Sequence, residues 1–187
     1  MSGLRIIAGT SRGRRLKSPK GMSTRPTSDR VREALFNILS AQVPESSFLD
    51  LFSGTGAVAI EALSRGAARA VLVEKDRSSA AVIISNIKLC GLSECAEVLN
   101  LDAAKAIKLL GERKENFDLI FIDPPYKKGF EVPSLEKIQG NGLLNVGGIV
   151  VVESNKCDLP PERVGQLMVY RRERYGDTAL TFYRHDI

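Results

Sequence analysis

The chain has 187 residues, of which 43% are hydrophobic, and a formal net charge of +5 at pH 7. This length suits one compact domain with at most a small appendage. No apolar run approaches the roughly 20 residues of a membrane-spanning helix, and the N-terminus has no signal-peptide core, so we expect a soluble, cytoplasmic protein.

Cysteine and histidine are too sparse for several classes of site. Cys90, Cys95 and Cys157 form no CxxC pair, and the single histidine, His185, lies next to the C-terminus. We therefore expect reduced cysteines, no metal site and no histidine-dependent catalytic triad.

Positive charge is concentrated at the N-terminus. Up to Arg32 the chain carries nine lysines and arginines against one acid, and the remainder is slightly acidic. Such a segment is typical of proteins that bind a polyphosphate, although a solvated tail is the alternative. Ile6 and Ile7 before Gly-Thr-Ser-Arg-Gly predict a hairpin, so we expect a basic hairpin extension at 1–26 and the main domain at 27–187. Its candidate RNA contacts are Arg5, Arg12, Arg14, Arg15, Lys17 and Arg25.

Residues 27–41 are predicted to form an amphipathic helix, because cap-type residues precede apolar residues at helical spacing. Short apolar strands then alternate with helices. The strands are predicted at SFLDLF, RAVLVEKD, AEVLNLD, FDLIFI and GGIVVVE. Three helices are predicted between them. The first follows the loop SGTG, the second begins at Asp76 with Ala80, Ile83, Ile84 and Ile87 on one face, and the third covers AAKAIKLLGERK.

This alternation indicates an α/β protein with a parallel sheet that is covered on both faces, in a Rossmann-like arrangement. The C-terminal segment QLMVYRRERYGDTALTFYR changes character, with two strand-like runs around a turn at Gly176. We expect a hairpin there that adds an antiparallel strand at or near the edge of the sheet.

The loop DLFSGTG lies where the first predicted strand ends. Ligands of open parallel sheets bind beyond the carboxyl ends of the strands, and Gly54 and Gly56 let the backbone turn sharply there. Together with Ala59 the loop matches the dinucleotide pattern G-x-G-x-x-A, and Glu74 follows Gly54 by twenty residues, as a ribose-binding acid would. A nicotinamide cofactor is therefore one interpretation.

Asp50, four positions before Gly54, favours a different cofactor. A carboxylate here repels a pyrophosphate but attracts an ammonium group, which favours S-adenosylmethionine over NAD. Glu74 is suited to accept the ribose hydroxyls, and Asp102 with the Ala103 amide to meet the adenine edge. The alternatives are a helix N-cap for Asp102 and a solvated acid for Glu74. The other candidate cofactor contacts are Ser53, Thr55 and Lys75.

The motif DPPY, Asp123-Pro124-Pro125-Tyr126, follows the fourth strand and so lies beside the same cleft. Prolines hold their carbonyl oxygens rigidly, and with the Asp123 carboxylate these oxygens can accept hydrogens from an exocyclic amine. Such acceptors aim the amine lone pair at a sulfonium methyl group, while Tyr126 stacks on an unpaired or flipped base. A rigid loop with a packed tyrosine is the alternative; the second pair, Pro160-Pro161, does not follow such a strand.

Five stretches resemble the bacterial small-subunit rRNA guanine-N2 methyltransferases of the RsmD type. They are RIIAGTSRGRRL, RPTSDRVREALFNIL, DLFSGTGAVAIEALSRGA, FDLIFIDPPY and RYGDTALTFY, and they span Arg5 to Tyr183. The resemblance implies a methyltransferase fold with a seven-stranded sheet and action on a guanine of 16S rRNA, in an assembled or assembling particle. It also implies that Arg25, Pro26 and Thr27 lie near the active site and help to close it, with Thr27 as a further RNA contact. A monomer is expected.

Two other functions remain open. An adenine-N6 methyltransferase acting on DNA or RNA shares the tetrapeptide, although only 46 residues precede the SFLDLF strand, which leaves little room for a DNA-reading region. A non-enzymatic RNA-binding module accounts for the basic segment but not for the cofactor loop and DPPY together.

Overall fold

A computed structural model describes residues 4–19, 27–126 and 128–186. The helices are α1 (Asp29–Ile38), α2 (Ala57–Ser64), α3 (Arg77–Cys90), α4 (Ala103–Glu112) and α5 (Glu131–Gly140), with a 3-10 turn at Ser93–Cys95. The strands are β1 (Ser47–Asp50), β2 (Arg69–Val73), β3 (Ala96–Leu99), β4 (Phe117–Ile122), β5 (Leu144–Asn155), β6 (Arg163–Val164), β7 (Leu167–Tyr175) and β8 (Thr178–His185). Within these ranges no helix is long and apolar enough to span a bilayer.

The strands form one sheet in the order β3-β2-β1-β4-β5-β8-β7-β6. Strands β1 to β5 are mutually parallel, and β8 runs antiparallel between β5 and β7. The Rossmann-like α/β class is thus confirmed. The expected count of seven strands is wrong, because the two-residue β6 pairs with β7 at the edge, making eight strands in the described chain. A strand of two residues has no alternating pattern that a sequence could reveal.

Helices cover both faces of the sheet. Apolar side chains of α1, α2 and α3 pack on one face with Phe48, Phe121 and Phe182. Those of α4 and α5 pack on the other with Leu49, Ile120 and Tyr183. Helix α5 is not among the predicted elements; its Pro133 lies in the first turn, where proline is tolerated. Ile84 is 42% exposed, so the apolar face expected for α3 does not include it.

Residues 4–16 form a small hairpin, with an antiparallel bridge between Arg5 and Arg15 and hydrogen bonds that join Ile6 to Arg14 and Gly13. Ile6 and Leu16 are buried in the core beneath α1, α2 and α3. This part of the basic segment therefore packs on the body and is not a solvated tail. The expected boundary at residue 26 falls in 20–26, outside the described residues.

A buried carboxylate holds the hairpin in place. Glu61 of α2 accepts the backbone N–H groups of Ile7 at 2.8 Å and Ala8 at 2.9 Å. It also pairs with the fully buried Arg32 at 3.6 Å and with Arg65 at 2.8 Å. Desolvation lowers the pKa of Arg32, and Glu61 and Asp29 oppose that shift. Arg32 also donates to the carbonyl of Arg5, so the first strand of the hairpin is tied to both α1 and α2.

We expect Gly9→Ala to detach the hairpin. Gly9 has φ +81°, and a Cβ there would lie 1.7 Å from the Ser64 carbonyl oxygen. Gly13 is a matched control, with φ +80° and no atom within 4 Å of its Cβ position. Gly13→Ala should cost only about 1–2 kcal/mol for the left-handed backbone. Gly9→Ala should cost more and should expose the hairpin to protease; equal unfolding free energies for the two variants would contradict this docking.

Candidate active site

A cavity of about 950 Å³ opens at the carboxyl ends of β1, β2 and β4. The chain reverses its direction of travel across the sheet between β1 and β4, and such a switch point is where open α/β sheets bind ligands. The loop after β1, the ends of β2 and β4, the start of α4 and the segment leading into α5 supply the walls.

Most of the predicted site residues lie around this one cavity. Eight of the nine candidate cofactor contacts line it, as do all four residues of DPPY and Thr27. The eight are Asp50, Ser53, Gly54, Thr55, Glu74, Lys75, Asp102 and Ala103. Gly56 is not in the lining; it caps α2 with φ +78°, and a Cβ there would meet Ile83 and Leu72 at 3.2 Å.

The basic candidates of the hairpin lie elsewhere. All of them are exposed and none lines the cavity: Arg5, Arg12, Arg14, Arg15 and Lys17. Arg25 is outside the described residues. A side-chain amide links the hairpin to the cavity wall, because Asn86 of α3 bonds both backbone groups of Lys17 and the carbonyl of Thr55 at 2.8–3.0 Å.

Glu74 fixes the glycine loop and also faces the cavity. Its carboxylate accepts the N–H of Gly54 at 3.0 Å and that of Asp76 at 2.8 Å, one on each oxygen. Each carboxylate oxygen can accept a second hydrogen bond, so the group can still receive a pair of hydroxyls. Asn100, which the sequence analysis does not single out, donates to the carbonyls of Glu74 and Lys75 and so holds the end of β2 against the loop after β3.

Asp50 is a buried carboxyl group at the base of the cavity, only 1% exposed. Burial raises its pKa to about 7, although hydrogen bonds from Phe52 and Ser53 oppose the shift. A carboxyl group held in this way becomes fully ionised when a cation is brought next to it. The cavity therefore fits a ligand with a positively charged group at the Asp50 end.

Asp102 is a helix N-cap, which was the alternative interpretation of this residue, and it also lies on the cavity wall. It caps α4 by accepting the Lys105 N–H at 3.0 Å, and that hydrogen bond lowers its pKa. The side chain is only partly buried, and Ala103 beside it begins the helix. The N-terminus of α4 thus presents a carboxylate and backbone amides to the same space.

DPPY continues directly from β4. Asp123 is partly exposed to the cavity, Pro124 is buried, and Tyr126 is 48% exposed at the mouth. Burial raises the pKa of Asp123 well above its usual range, and the charges of Glu153 and Asp50 add to that rise. Phe130, 40% exposed, lies 6.1 Å from Phe52 between ring centroids and adds an aromatic wall that the sequence analysis does not predict.

A second acid stands behind Asp123 and was not predicted. Glu153 of β5 is 4% exposed, and burial raises its pKa to about 7. The Thr27 hydroxyl lies 2.9 Å from Glu153 Oε2 and 3.5 Å from Asp123 Oδ2. The only signal for Glu153 in the sequence is that an acid interrupts the apolar run GGIVVVE.

Comparison with known proteins identifies relatives along almost the whole chain. A family model described as conserved hypothetical protein 95 matches residues 4–184. Putative rRNA methyltransferase YlbH of Bacillus subtilis (strain 168) is 38% identical over 97% of this chain and 98% of that protein. Ribosomal RNA small subunit methyltransferase D of Escherichia coli (strain K12) is 34% identical, over 98% and 90% of the two chains.

A solved structure agrees with this relationship. The putative methyltransferase yhhF from Escherichia coli superposes with a TM-score of 0.86 at 35% identity, over 97% of each chain. The fold is therefore that of a Rossmann-like methyltransferase. The resemblance found in the sequence motifs is confirmed: this chain belongs to the family described as conserved hypothetical protein 95, the RsmD family.

Proposed function

We propose that this protein transfers a methyl group from S-adenosylmethionine to the exocyclic N2 amine of a guanine in 16S rRNA. One observation carries the proposal: a single cavity brings Asp50, Glu74 and the glycine loop together with the DPPY segment. The relatives named as rRNA methyltransferases support an rRNA substrate. The protein would act as a cytoplasmic monomer on a small-subunit particle that is assembled or being assembled.

The residues of the cavity fit S-adenosylmethionine by their chemistry. Asp50 would pair with the ammonium group of the cofactor, and Glu74 would accept its ribose hydroxyls. The loop at Ser53–Gly54 would approach the carboxylate of the cofactor through its backbone. Asp102 and the Ala103 amide would meet the adenine edge. The cofactor, when bound, supplies an electrophilic methyl group on a sulfonium centre.

The DPPY segment would position the amine. An amine conjugated to a ring is a poor nucleophile, because its lone pair is delocalised. The Asp123 carboxylate and the proline carbonyl oxygens would accept its hydrogens and turn the lone pair towards the methyl group, so that catalysis is mainly positioning and electrostatics. Tyr126 would stack on the base, which must leave any helix to enter the cavity.

The basic hairpin would bind the phosphates around the target. Its cations are exposed on a segment that Glu61 and Asn86 hold against α2 and α3. Lys17 is linked through Asn86 to Thr55 of the cofactor loop, whereas Arg14 donates to the carbonyl of Leu89 near the C-terminal end of α3. This placement supports a grip on RNA phosphates along the side of the protein that α2 and α3 form. Arg25 and Thr27 would continue that contact towards the active site.

Mass spectrometry of 16S rRNA tests the substrate. Small-subunit particles from cells that lack this protein should gain one N2-methylguanine on incubation with the purified protein and S-adenosylmethionine. Free 16S rRNA assayed in parallel reports whether the particle is required. N6-methyladenine in the product would instead support the adenine-N6 alternative, and no transfer at all would support a binding module.

Cofactor binding should depend on pH through Asp50. The pKa of about 7 means that the ligand-free carboxyl group is largely protonated at pH 6 and must lose its proton to meet an ammonium group. S-adenosylmethionine affinity, measured by calorimetry, should therefore fall about tenfold from pH 8 to pH 6. Asp50→Asn should bind more weakly at pH 8 and remove most of this slope; an Asn variant that keeps the wild-type slope would assign it to another group.

Asp123→Ala should lose methyl transfer but keep the cofactor. The carboxylate contacts the amine rather than the cofactor in this proposal, so we expect kcat to fall by about 10²–10³. The cofactor dissociation constant should stay within about threefold of the wild-type value, since Asp50 and Glu74, which would contact the cofactor, are unchanged. Asp158→Ala, at an exposed carboxylate, is the control. Wild-type turnover of Asp123→Ala would reject the mechanism.

Replacing Arg12, Arg14 and Arg15 with alanine should weaken RNA binding and flatten its dependence on salt, because fewer counterions are released. The matched control removes three exposed cations of the opposite face of the sheet, Lys108, Arg113 and Lys114. Filter binding at several salt concentrations compares the two triple variants. If both lose affinity equally, the RNA is held by the overall charge and not by the hairpin.

A further inference from the structure

The carboxyl pair, by which we mean Asp123 and Glu153, is joined by one hydroxyl group. Thr27 Oγ1 lies 2.9 Å from Glu153 Oε2 and 3.5 Å from Asp123 Oδ2. Asp123 faces the cavity, whereas Glu153 is 4% exposed and is not part of the cavity lining. Glu153 therefore reaches the cavity side of the site only through Thr27 and Asp123.

A hydroxyl group has one proton to donate and two lone pairs with which to accept. The shorter distance assigns the proton of Thr27 to Glu153, which leaves a lone pair of Oγ1 facing Asp123. An anionic Asp123 gains nothing from a lone pair, but a protonated Asp123 can donate to it. Since Thr27 has one proton for two carboxyl oxygens, the distances fit a row of Asp123–OH, Thr27–OH and Glu153 carboxylate, in which Asp123 donates across the longer contact.

The charges around the pair favour one shared proton. Asp123 faces Glu153 from β5 and Asp50 from the end of β1, and Asp50 in turn faces Glu74 from β2. The neighbour of Glu153 on β8 is the apolar Leu180. Burial and these acids raise the pKa of Asp123, and burial raises that of Glu153. Two carboxyl groups so close and so buried do not both ionise near neutral pH.

We propose that Glu153 is a positioning residue that stores the proton of Asp123: when the target amine arrives, the proton passes through Thr27 to Glu153 and leaves Asp123 as the carboxylate that orients the amine. This inference rests on the proposed methyl transfer. The Asp123 O–H bond breaks as Thr27 Oγ1 takes that proton, and the original Thr27 O–H bond breaks as Glu153 Oε2 takes the other. One proton moves from Asp123 to Glu153, and no solvent is needed.

The carboxyl pair provides a place for the proton that Asp123 must lose before it can orient the amine. Burial among acids favours the neutral form of Asp123, yet a neutral Asp123 offers a donor where the amine needs an acceptor. Once RNA covers the mouth of the cavity, a proton cannot leave easily to water. A second carboxylate one hydroxyl away accepts it inside the protein.

The ligand-free protein provides the first test. A pKa raised by folding stabilises the protein below the unfolded-state value near 4, and this stabilisation is lost as pH rises through the folded-state value. Wild-type melting temperature should therefore fall between pH 5.5 and pH 8. Glu153→Gln should reduce that fall by about 3 °C or more. Glu136→Gln, the same change at an exposed site, should leave it as in the wild type.

The second test is the pH profile of kcat/KM for methyl transfer to small-subunit particles. Burial, Glu153 and Asp50 together raise the pKa of Asp123, and Glu153→Gln removes the larger of the two charges, so the acid limb should move to lower pH by about one unit or more. An acid limb at the wild-type pH would mean that Glu153 only supports the fold. Inactivity at every pH, in a variant with the wild-type melting temperature, would equally overturn the proposal. It would show that Glu153 is required for more than raising the pKa of Asp123 and holding its proton.

Variants of Thr27 distinguish the route of the proton from the effect of the two carboxyl charges. Thr27→Val keeps the shape and both acids but removes the hydroxyl, so kcat should fall about 10-fold to 100-fold. Because the Thr27 hydrogen bond lowers the pKa of both carboxyl groups, its loss should leave the fall in melting temperature between pH 5.5 and pH 8 at least as large as in the wild type, unlike Glu153→Gln. Thr27→Ser restores the hydroxyl and should recover most of the rate. A serine variant as slow as the valine variant would assign the loss to packing and overturn the role of the hydroxyl.

The two tests also separate this inference from the proposed function. If particles gain no methyl group but Glu153→Gln still flattens the pH dependence of melting, the proposed reaction fails and the shared proton stands. If particles are methylated but neither the melting curve nor the acid limb moves in Glu153→Gln, the shared proton fails and the reaction stands.

Discussion

The burial of acids at the carboxyl ends of adjacent strands is the constraint on which this site depends. Asp50 ends β1, Asp123 follows β4 and Glu153 lies near the end of β5, and the parallel pairing of these strands brings their ends to one edge of the sheet. Desolvation raises the pKa of each of these carboxyl groups. Ionising these carboxyl groups therefore costs free energy, and a cation beside Asp50 and amine hydrogens beside Asp123 are groups that would offset this cost.

The hairpin is attached to the same framework. Glu61 and Asn86 use side-chain atoms to satisfy backbone groups of residues 7, 8 and 17, and Asn86 also reaches the carbonyl of Thr55 in the glycine loop. RNA binding and cofactor binding would thus share the wall formed by α2 and α3.

The two proline pairs of the chain have different surroundings. The carbonyls of Pro160-Pro161 accept hydrogen bonds from Arg172 and Tyr183 within the fold, whereas Pro124-Pro125 line the cavity.

Sequence patterns predicted what depends on local signals. The five parallel strands, the start of α3 at Asp76 and the turn at Gly176 follow from periodicity, capping and turn chemistry, and the cap at Asp102 was the alternative to its role in cofactor binding. The missing parts depend on tertiary packing. β6 is too short to have a pattern, and Glu153 looks like the polar end of a strand until Thr27, 126 positions away in sequence, is found beside it. Phe130 and Asn100 likewise gain their roles only from neighbours distant in sequence.

The fully buried Arg32 gives the hairpin a different response to acidity from that of the catalytic cavity. A guanidinium group does not lose its proton in proteins under ordinary conditions, and the amide of Asn86 does not titrate at all. Changes of pH near neutrality would therefore act on the acids of the cavity and not on the contacts that Arg32 and Asn86 make with the hairpin. RNA binding by the hairpin and methyl transfer in the cavity would in this sense differ in their dependence on pH.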